Sequence, residues 1–364
     1  MLLIILNNIS LNRLRYFSSL FFIASAFALV GSCSSTKYST KIQNLKDSIH
    51  IVDSALVTKY AESITPKDLK EHLLMISDDK LLGRATGEIG QKIAAEYLKN
   101  YYQEQNIGSP LSDNNYFQSI PKSFLPKSNE SSENVLAYIK GSEIPSEVLI
   151  ISAHYDHLGV KDGEINNGAD DNGSGTSSIM EIAQAFKMAV NQGHSPKRSI
   201  LFLHVTAEEI GKLGSEYYTT YPVFPLKNTV ADLNIDMIGR VDKAHENNKD
   251  YLYLIGSDRL STELHYLSEK VNTTFYNINL DYRYNAENDS NHYYNRSDHY
   301  NFAENNIPII FYFNGEHADY HKPTDTSDKI DFELLAKRSK LIFATAWQLA
   351  NLDHRIKVDN GIIN

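Results

Sequence analysis

Histidine and carboxylate side chains follow several predicted apolar segments of this 364-residue sequence, at the points where those segments give way to loops. In chain order they are His154 with Asp156, Asp171, the pair Glu208 and Glu209, Asp236, and His321. Imidazole nitrogens and carboxylate oxygens are ligands of Zn²⁺ in proteins, whereas Cu(I) and iron–sulfur sites need sulfur ligands. The only cysteine is Cys33, near the amino terminus, so these residue types favour zinc.

His154 and Asp156 stand two residues apart, directly after the apolar run 148–153. Residues two apart in a strand point to the same face, which brings the carboxylate close to the imidazole ring. A ligating histidine commonly donates its other ring N–H to a carboxylate, and Asp156 is placed for that role. Taken alone, such a pair at a strand end is more often a structural coincidence.

Glycines surround Asp171 in the segment 168–175, which leads directly into a predicted helix over 174–190. Glycine allows the backbone to bend tightly, and negative charge is favoured near the amino end of a helix. The same pattern is typical of a simple turn with a helix cap. A site for two cations needs a carboxylate that bridges them, and Asp171 is the candidate.

Glu208 and Glu209 are adjacent acidic residues after the apolar run 200–206. Adjacent carboxylates repel each other unless a cation or a proton offsets their charge. Because consecutive side chains diverge, one glutamate can bind a metal ion while its neighbour faces the substrate as a general base. A solvated acidic turn is the alternative interpretation.

Asp236 ends the apolar run 230–235, where a carboxylate is costly unless it is paired or bound to a metal ion. His321 lies in a loop shortly after the apolar run 307–313. Two cations could each take one histidine and one terminal carboxylate and share the central aspartate. Two ions about 3.5–4 Å apart can activate water and hold the developing oxyanion of a carbonyl hydrolysis.

Short apolar runs alternate with helical patterns from residue 134 onward. The runs cover 135–139, 148–153, 200–206, 230–235, 251–255 and 307–313, and the helical patterns cover 174–190, 261–271 and 332–351. Strands that are apolar on both faces must be buried between two layers of helices. The pattern predicts an α/β fold, a three-layer α/β/α sandwich around a mostly parallel mixed sheet. Sites in such sheets form at the carboxyl ends of strands, where the candidate residues stand.

The sequence predicts one catalytic domain over 65–355, followed by a short tail over 356–364. Its first helix is predicted to begin at Pro66, with Thr65 as the cap and Asp68 completing a capping box. A second helix is predicted over 88–105.

Residues 1–32 have the layout of a secretory signal peptide, with two arginines before an apolar run that is short for a membrane span. The segment 30–33 resembles a bacterial lipobox, in which the cysteine is lipidated and becomes the mature N-terminus. We therefore expect an exported lipoprotein of the bacterial cell envelope, anchored in the membrane through Cys33, with 33–64 as a tether and N-terminal extension. An ordinary signal peptide with an incidental cysteine is the alternative.

The charge balance argues against a polynucleotide partner. The chain has 35 Lys and Arg against 45 Asp and Glu, a formal net charge of −10, and no basic stripe. Because nucleic-acid binding requires basic residues that neutralise phosphates, we expect no nucleic-acid partner.

The order of these motifs resembles the dinuclear zinc aminopeptidases of metallopeptidase family M28. The most specific segments are GADDNGSG at 168–175, AEEIGKLGS at 207–215 and DMIG at 236–239. LGRATG at 82–87 and ENV at 133–135 also stand where the family has similar segments, so the resemblance covers most of 65–351. It implies the fold of the zinc exopeptidases.

The resemblance implies two Zn²⁺ ions per chain. His154 and Asp236 would bind one ion, and Glu209 and His321 would bind the other. Asp171 would bridge the two, and the family suggests a cis peptide bond after this residue.

Three further residues acquire roles through the same resemblance. Glu208 would be the general base that takes a proton from the activated water, and Asp156 would orient His154. Tyr320 matches a tyrosine that in some relatives helps to stabilise the tetrahedral intermediate.

The activity implied is the hydrolysis of N-terminal residues from peptides that have a free N-terminus. One alternative is a glutaminyl cyclase-like transferase with one zinc ion, and another is a carboxypeptidase or amidohydrolase of a related clan. A binding lipoprotein without activity is a third. All five ligands and the base are retained, which favours two ions and hydrolysis.

A few residues depart from this pattern or are left outside it. The family often has Asn where this chain has Asp170, which adds negative charge without removing a ligand. His157, His204 and His317 are interpreted as structural, since an isolated histidine is more often a hydrogen-bonded residue of the interior. The segment 297–299 matches a family segment whose role the sequence does not define, so His299 stays outside the metal set.

Overall fold

A computed structural model describes residues 39–128 and 130–361 of the chain. The predicted signal peptide and Cys33 lie outside these described residues. The chain divides into two units, 1–50 and 51–364. The described part of the first unit contains one helix, α1, over 39–48.

Ten strands are present within the described part of the second unit. They are β1 (Phe117–Ile120), β2 (Ser132–Ile139), β3 (Ile144–His154), β4 (Gly159–Lys161), β5 (Glu164–Asn166), β6 (Arg198–Val205), β7 (Thr229–Ile235), β8 (Tyr251–Ile255), β9 (Asn279–Asp281) and β10 (Ile309–Phe313). Eight of them form one sheet in the order β1-β2-β6-β3-β7-β10-β8-β9, and β4 pairs with β5 in a separate hairpin.

The α-helices of this unit connect and cover the strands. They are α2 (Ser54–Ala61), α3 (Pro66–Ile76), α4 (Ile89–Glu104), α5 (Gly175–Asn191), α6 (Leu213–Thr220), α7 (Thr262–Phe275), α8 (His299–Glu304) and α9 (Phe332–Asn351). Asp68 donates its backbone N–H to the Thr65 hydroxyl at 3.1 Å, so α3 begins at Pro66 as the capping pattern predicts.

The centre of the sheet is parallel and its margins are mixed. Strand β3 pairs in parallel with β6 and β7, and β7 pairs in parallel with β10. Strands β1, β2 and β8 join through antiparallel pairs. The carboxyl ends of β3, β6, β7 and β10 therefore meet at one edge of the sheet, and this edge positions the candidate site.

Helices cover both faces of the sheet. On one face α5 and α9 pack on the central strands, where Phe186 of α5 contacts Phe202 of β6. On the other face Tyr218 of α6 and Phe302 of α8 pack against alternate residues of the same strands, such as Leu201. Every residue of β6, β7, β8 and β10 is buried, which confirms the predicted three-layer α/β/α sandwich.

Within the second unit, residues before and after the predicted domain 65–355 pack on the rest of the unit. The compact unit begins at Ile51, and Tyr60 of α2 stacks on Trp347 of α9 with ring centroids 5.8 Å apart. In the predicted tail, Asp359 accepts hydrogen bonds from the backbone and hydroxyl of Thr262. Along the described ranges, no helix combines the length and apolar character needed to cross a membrane.

Candidate metal centre

His154 ends β3 and points into the edge where the parallel strands terminate. Its Nδ1 lies 3.1 Å from the backbone carbonyl of Asp156 and 3.8 Å from the nearer carboxylate oxygen. The Asp156 carboxylate instead accepts hydrogen bonds from the Thr86 hydroxyl at 2.8 Å and from the backbone N–H of Glu208 at 3.2 Å. Asp156 therefore lies beside His154 as predicted, but the carbonyl rather than the carboxylate makes the orienting contact.

Asp171 lies in the glycine-rich turn before α5. Its peptide bond to Asn172 is cis, as the family resemblance implied. The carboxylate of Asp325 accepts the backbone N–H of Asp170 at 3.0 Å and that of Asp171 at 3.1 Å, and the carbonyl of Asp325 accepts the N–H of Ala169. The turn is thereby fixed to the loop that follows β10, which also carries His321.

Asp171, His154 and Asp236 form a first group of possible metal donors. The Nε2 atom of His154 lies 3.3 Å from Oδ1 of Asp171 and 3.4 Å from Oδ1 of Asp236. All three side chains are buried, and their donor atoms lie within 4.8 Å of one another. Zinc bonds of 2.0–2.1 Å in a tetrahedron separate the ligand atoms by about 3.3 Å, so this group fits Zn²⁺.

A second group surrounds the other oxygen of Asp171. The Nε2 atom of His321 lies 3.1 Å from Oδ2 of Asp171 and 3.3 Å from Oε2 of Glu209. The two oxygens of Asp171 thus face two different groups, which is the arrangement that a bridging carboxylate requires. The five predicted ligands come together as two donor groups around one shared carboxylate.

His157 joins the second group, although the sequence analysis interpreted it as structural. Its Nδ1 lies 2.6 Å from Oε1 of Glu209 and 3.9 Å from Oδ2 of Asp171, and its side chain is buried. The available signal was its position, three residues beyond His154 and directly after the strand end. Burial is the main reason that the pKa of His157 is lowered to about 4.

Excess negative charge marks this edge of the sheet. Burial, with the charge of Asp171, raises the pKa of Glu209 to about 8. Burial raises the pKa of Glu208 well above its usual value. The charge of His154 lowers this pKa, whereas the charges of Asp298 and Glu209 raise it further. Among the described residues, Oε1 of Glu209 and Oδ1 of Asp236 are buried without a hydrogen-bond partner. Such atoms are costly unless a cation satisfies them, so the residues present fit bound metal ions.

Glu208 belongs to neither donor group. It lines a cavity together with Asp171, Asp236, Tyr320 and His321, and it is therefore free to face a substrate there. Tyr320 stacks on the ring of His321 with centroids 3.8 Å apart. The side chains of Glu208 and Tyr320 thus line the same cavity as members of the two donor groups.

Ser297 and Asp298, to which the sequence analysis assigned no role, lie beside the first donor group. The Ser297 hydroxyl donates to Oδ2 of Asp236 at 2.7 Å, and Asp298 accepts from the Ser215 hydroxyl at 2.6 Å. Burial is the main cause that raises the pKa of Asp298 to about 7. His299 stays outside both donor groups, since its Nε2 lies 2.7 Å from the carbonyl of Tyr294.

Arg84 explains part of the LGRATG segment. Its buried guanidinium donates to the backbone carbonyls of Tyr155 at 2.9 Å, Asn167 and Ile76 at 2.6 Å each, and Gly168 at 3.0 Å. It therefore ties the end of β3 to the turn that carries Asp171.

Asp170, where the family often has Asn, faces His317 instead of a donor group. Oδ2 of Asp170 lies 3.2 Å from Nε2 of His317, and Oδ1 accepts the backbone N–H of Gly239 at 2.7 Å. Burial lowers the pKa of His317, but Asp170 and Asp325 together outweigh burial and raise it. The extra carboxylate is thus compensated locally.

Known proteins are similar to this chain in sequence or in fold. Aminopeptidase YwaD of Bacillus subtilis is 28% identical over 238 residues, which cover 63% of this chain and 47% of YwaD. The chain spans about half the length of that curated relative. The LapA aminopeptidase of Legionella pneumophila superposes with a TM-score of 0.66 at 22% identity, over 83% of this chain and 76% of LapA. The glutaminyl cyclase of Porphyromonas gingivalis superposes with a TM-score of 0.63 at 17% identity, over 78% and 97% of the two chains.

The two structural comparisons establish the fold. They do not distinguish a hydrolase from a cyclase, because the TM-scores of 0.66 and 0.63 are close and both identities are low. The family is decided by sequence. The profile described as Peptidase family M28 matches residues 134–346, which include all five predicted ligands and both glutamates. The chain belongs to peptidase family M28.

Proposed function

We propose that this protein is a zinc-dependent aminopeptidase that hydrolyses the first peptide bond of peptides with a free N-terminus. The proposal depends mainly on one observation. The two carboxylate oxygens of Asp171 face two different donor groups, and Glu208, which belongs to neither group, lies beside them. Membership of the peptidase family and the aminopeptidases among the relatives support it.

The proposed cofactor is a pair of Zn²⁺ ions. His154, Asp171 and Asp236 would hold the first, and Asp171, Glu209 and His321 would hold the second. Bound zinc lowers the pKa of water to about 7 and polarises a carbonyl group.

Glu208 is the proposed general base. Its carboxylate lines the cavity without belonging to a donor group, and burial raises its pKa, so it holds a proton well between two steps. It would accept the proton of the attacking water and then deliver it to the nitrogen of the leaving peptide as the C–N bond breaks. The backbone N–H of Glu208, bonded to Asp156, fixes this residue relative to β3.

Tyr320 is the proposed donor to the oxyanion of the tetrahedral intermediate. Its ring is held against His321, and its hydroxyl lies 3.3 Å from a guanidinium nitrogen of Arg296. A donor fixed before the reaction stabilises the charge that develops on the carbonyl oxygen without reorganisation.

The lining of the cavity combines apolar and acidic side chains. Its apolar wall contains Met237, Tyr293, Phe311 and Phe313, and its carboxylates include Glu316. Acidic groups next to the metal centre favour an α-ammonium group, and the aromatic wall favours an uncharged side chain.

A carboxypeptidase would need a free cation for the terminal carboxylate of its substrate. Among the described residues that line the cavity, the arginine is Arg296. It forms an ion pair with Glu316 at 2.9 Å, so it is not a free cation. A cyclase needs only one zinc ion, whereas this chain retains donors for two. The paired arginine and the donors for two ions both favour the aminopeptidase.

We also propose that the chain is an exported bacterial lipoprotein, anchored in the cell envelope through Cys33. The support is the sequence alone, an apolar run followed by Val30-Gly31-Ser32-Cys33. A fatty-acid label that is incorporated in the wild type and lost in Cys33→Ser would support the anchor, and equal labelling would exclude it.

The activity is tested with matched peptides that carry a free, an acetylated or a glutamine N-terminus, with and without a chelator. We expect chelator-sensitive loss of single N-terminal residues, only from peptides with a free amine. Loss of ammonia from N-terminal glutamine would identify a cyclase, and trimming from the other end would identify a carboxypeptidase. If none of these peptides were changed by the zinc-bound protein, the result would contradict the proposal.

A further inference from the structure

His157 is a buried histidine that the five-ligand scheme does not use. It lies directly after the end of β3, and its backbone N–H donates to the carbonyl of Arg84 at 3.1 Å. Its side chain is fully buried, and Nδ1 lies 2.6 Å from Oε1 of Glu209. His321 approaches the same glutamate through the other oxygen, Oε2.

The contact between His157 and Glu209 is close but is not aligned as a hydrogen bond. Within the described ranges, three buried atoms here have no hydrogen-bond partner. They are the two ring nitrogens of His157 and Oε1 of Glu209. Buried polar atoms without partners destabilise a fold, because they lose their bonds to water and gain none in return. One cation shared by Nδ1 and Oε1 would satisfy two of these three atoms at once.

The ring of His157 is held in this orientation by the turn that carries Asp171. Gly168 has a φ of +55°, and a Cβ atom at this position would come within 2.5 Å of two ring carbons of His157. The ring therefore packs directly on the backbone of Gly168. With the His157 backbone tied to Arg84, the direction of Nδ1 is fixed before any ion binds.

We propose that Nδ1 of His157 is a fourth protein donor to the second cation, with Asp171, Glu209 and His321. This inference rests on the proposed zinc centre and deepens it. Zinc sites with four protein ligands are closed, whereas three ligands leave a position open. The first cation, with three donors, then has the open position, and the second is held more tightly. Two imidazoles in the second site favour Zn²⁺ over Mg²⁺ or Ca²⁺.

The test measures zinc binding to the full chain rather than activity. Zinc per chain and the two dissociation constants are determined against a competing chelator for the wild type, His157→Leu and His157→Asn. Asparagine keeps an N–H near the position of Nδ1 but is a poor zinc ligand. His204→Leu is the matched control, because His204 is an equally buried histidine that belongs to neither donor group.

We expect two ions in the wild type, with unequal affinities, and two ions of unchanged affinity in the His204 control. Both His157 variants should weaken the tighter site beyond the roughly 10–100-fold that loss of an outer-shell partner costs. Retained affinity in His157→Asn, with loss in His157→Leu, would overturn the proposal in favour of a hydrogen-bonding role. Unchanged affinity in both would also overturn it, and a wild type without zinc would remove the proposed function itself.

A second measurement does not depend on the folding of a variant. X-ray absorption of the zinc-loaded wild type counts the imidazole ligands of the two ions together. Three imidazoles, from His154, His157 and His321, are expected, and a count of two would overturn the proposal.

Discussion

The hydroxyl of Ser297 donates a 2.7 Å hydrogen bond to Oδ2 of Asp236, while Oδ1 of the same carboxylate faces His154 at 3.4 Å. Ser297 in turn accepts a 3.0 Å hydrogen bond from the amide of Asn234, two residues before Asp236 on β7. The carboxylate thus has one oxygen tied to the protein and one left for a cation. Hydrogen bonds of this kind orient metal-binding carboxylates and tune their affinity.

Ser297→Ala should weaken zinc binding at the first site by about 10–100-fold, because Asp236 loses its only side-chain restraint among the described hydrogen bonds. Zinc titration of the metal-free protein measures the effect. Ser199→Ala is the matched control. Ser199 is also buried and hydrogen-bonded through its hydroxyl, but it lies at the start of β6, away from the carboxyl ends of the strands. Equal loss in both variants would indicate general destabilisation instead.

Glu208→Gln should lower kcat by about 10²–10⁴-fold while both zinc ions remain bound. The amide keeps the shape of the side chain but cannot accept the proton of the attacking water. Glu209→Gln is the informative comparison, because Glu209 belongs to a donor group and its substitution should reduce zinc content. Parallel measurement of zinc per chain and kcat separates the two roles, and loss of zinc in Glu208→Gln would contradict the assignment.

Asp171→Asn should weaken both zinc sites, whereas Asp236→Asn should weaken one. Asp171 faces His154 with one oxygen and His321 with the other, but Asp236 contacts only the first group among the described residues. Stepwise titration with zinc checks the number of ions lost. If Asp171→Asn retained one site at wild-type affinity, the carboxylate would not be a bridge.

The sequence was sufficient for the sheet and for the candidate residues at its edge, because apolar runs mark the strands and the candidates follow those runs. Val148 to Ala153 are all buried in β3, and the same apolar run that predicts the strand also places His154 at its end. Parallel pairing then brings the strand ends together without further information. Charge and position along the chain made Asp171 and Asp236 candidates, and the family resemblance then implied that they are partners of His154.

The supporting contacts could not be predicted because they join segments far apart in the chain. Arg84 reaches Gly168, and Asp325 reaches Asp171, through hydrogen bonds that have no sequence period. The position of His157 beside Glu209 could not be predicted for the same reason, since it depends on the packing of the His157 ring against Gly168. A single sequence does not distinguish such a histidine from a hydrogen-bonded residue of the interior such as His204.

Arg84→Lys should lower the free energy of unfolding by about 2–4 kcal/mol, because a lysine cannot replace the planar fork that satisfies four buried carbonyls. Urea denaturation of the two proteins measures the difference. Arg283→Lys is the control, since the Arg283 side chain is half exposed and pairs with Asp281 at the surface. A loss below about 0.5 kcal/mol in Arg84→Lys would contradict the structural role of the fork.

His204 should make the protein less stable as the pH falls. Burial lowers the pKa of His204 to about 3, and its Nε2 lies 2.6 Å from the hydroxyl of Tyr102. The unfolded chain takes up a proton near pH 6.5, whereas the folded chain takes it up only near pH 3. Between these values the unfolded state binds more protons, so this residue lowers the free energy of unfolding by up to about 1.4 kcal/mol per pH unit on acidification.

His204→Gln keeps an acceptor for Tyr102 but does not titrate, so it should remove this slope. The free energy of unfolding, measured with urea at pH 7, 6 and 5, should fall less steeply in the variant than in the wild type. Carboxylates that titrate in the same range contribute equally to both proteins and cancel in the difference. His194→Gln is the control for the substitution itself, because His194 is exposed. Parallel curves for the wild type and His204→Gln would show that His204 is protonated equally in the folded and unfolded states, contrary to its buried position.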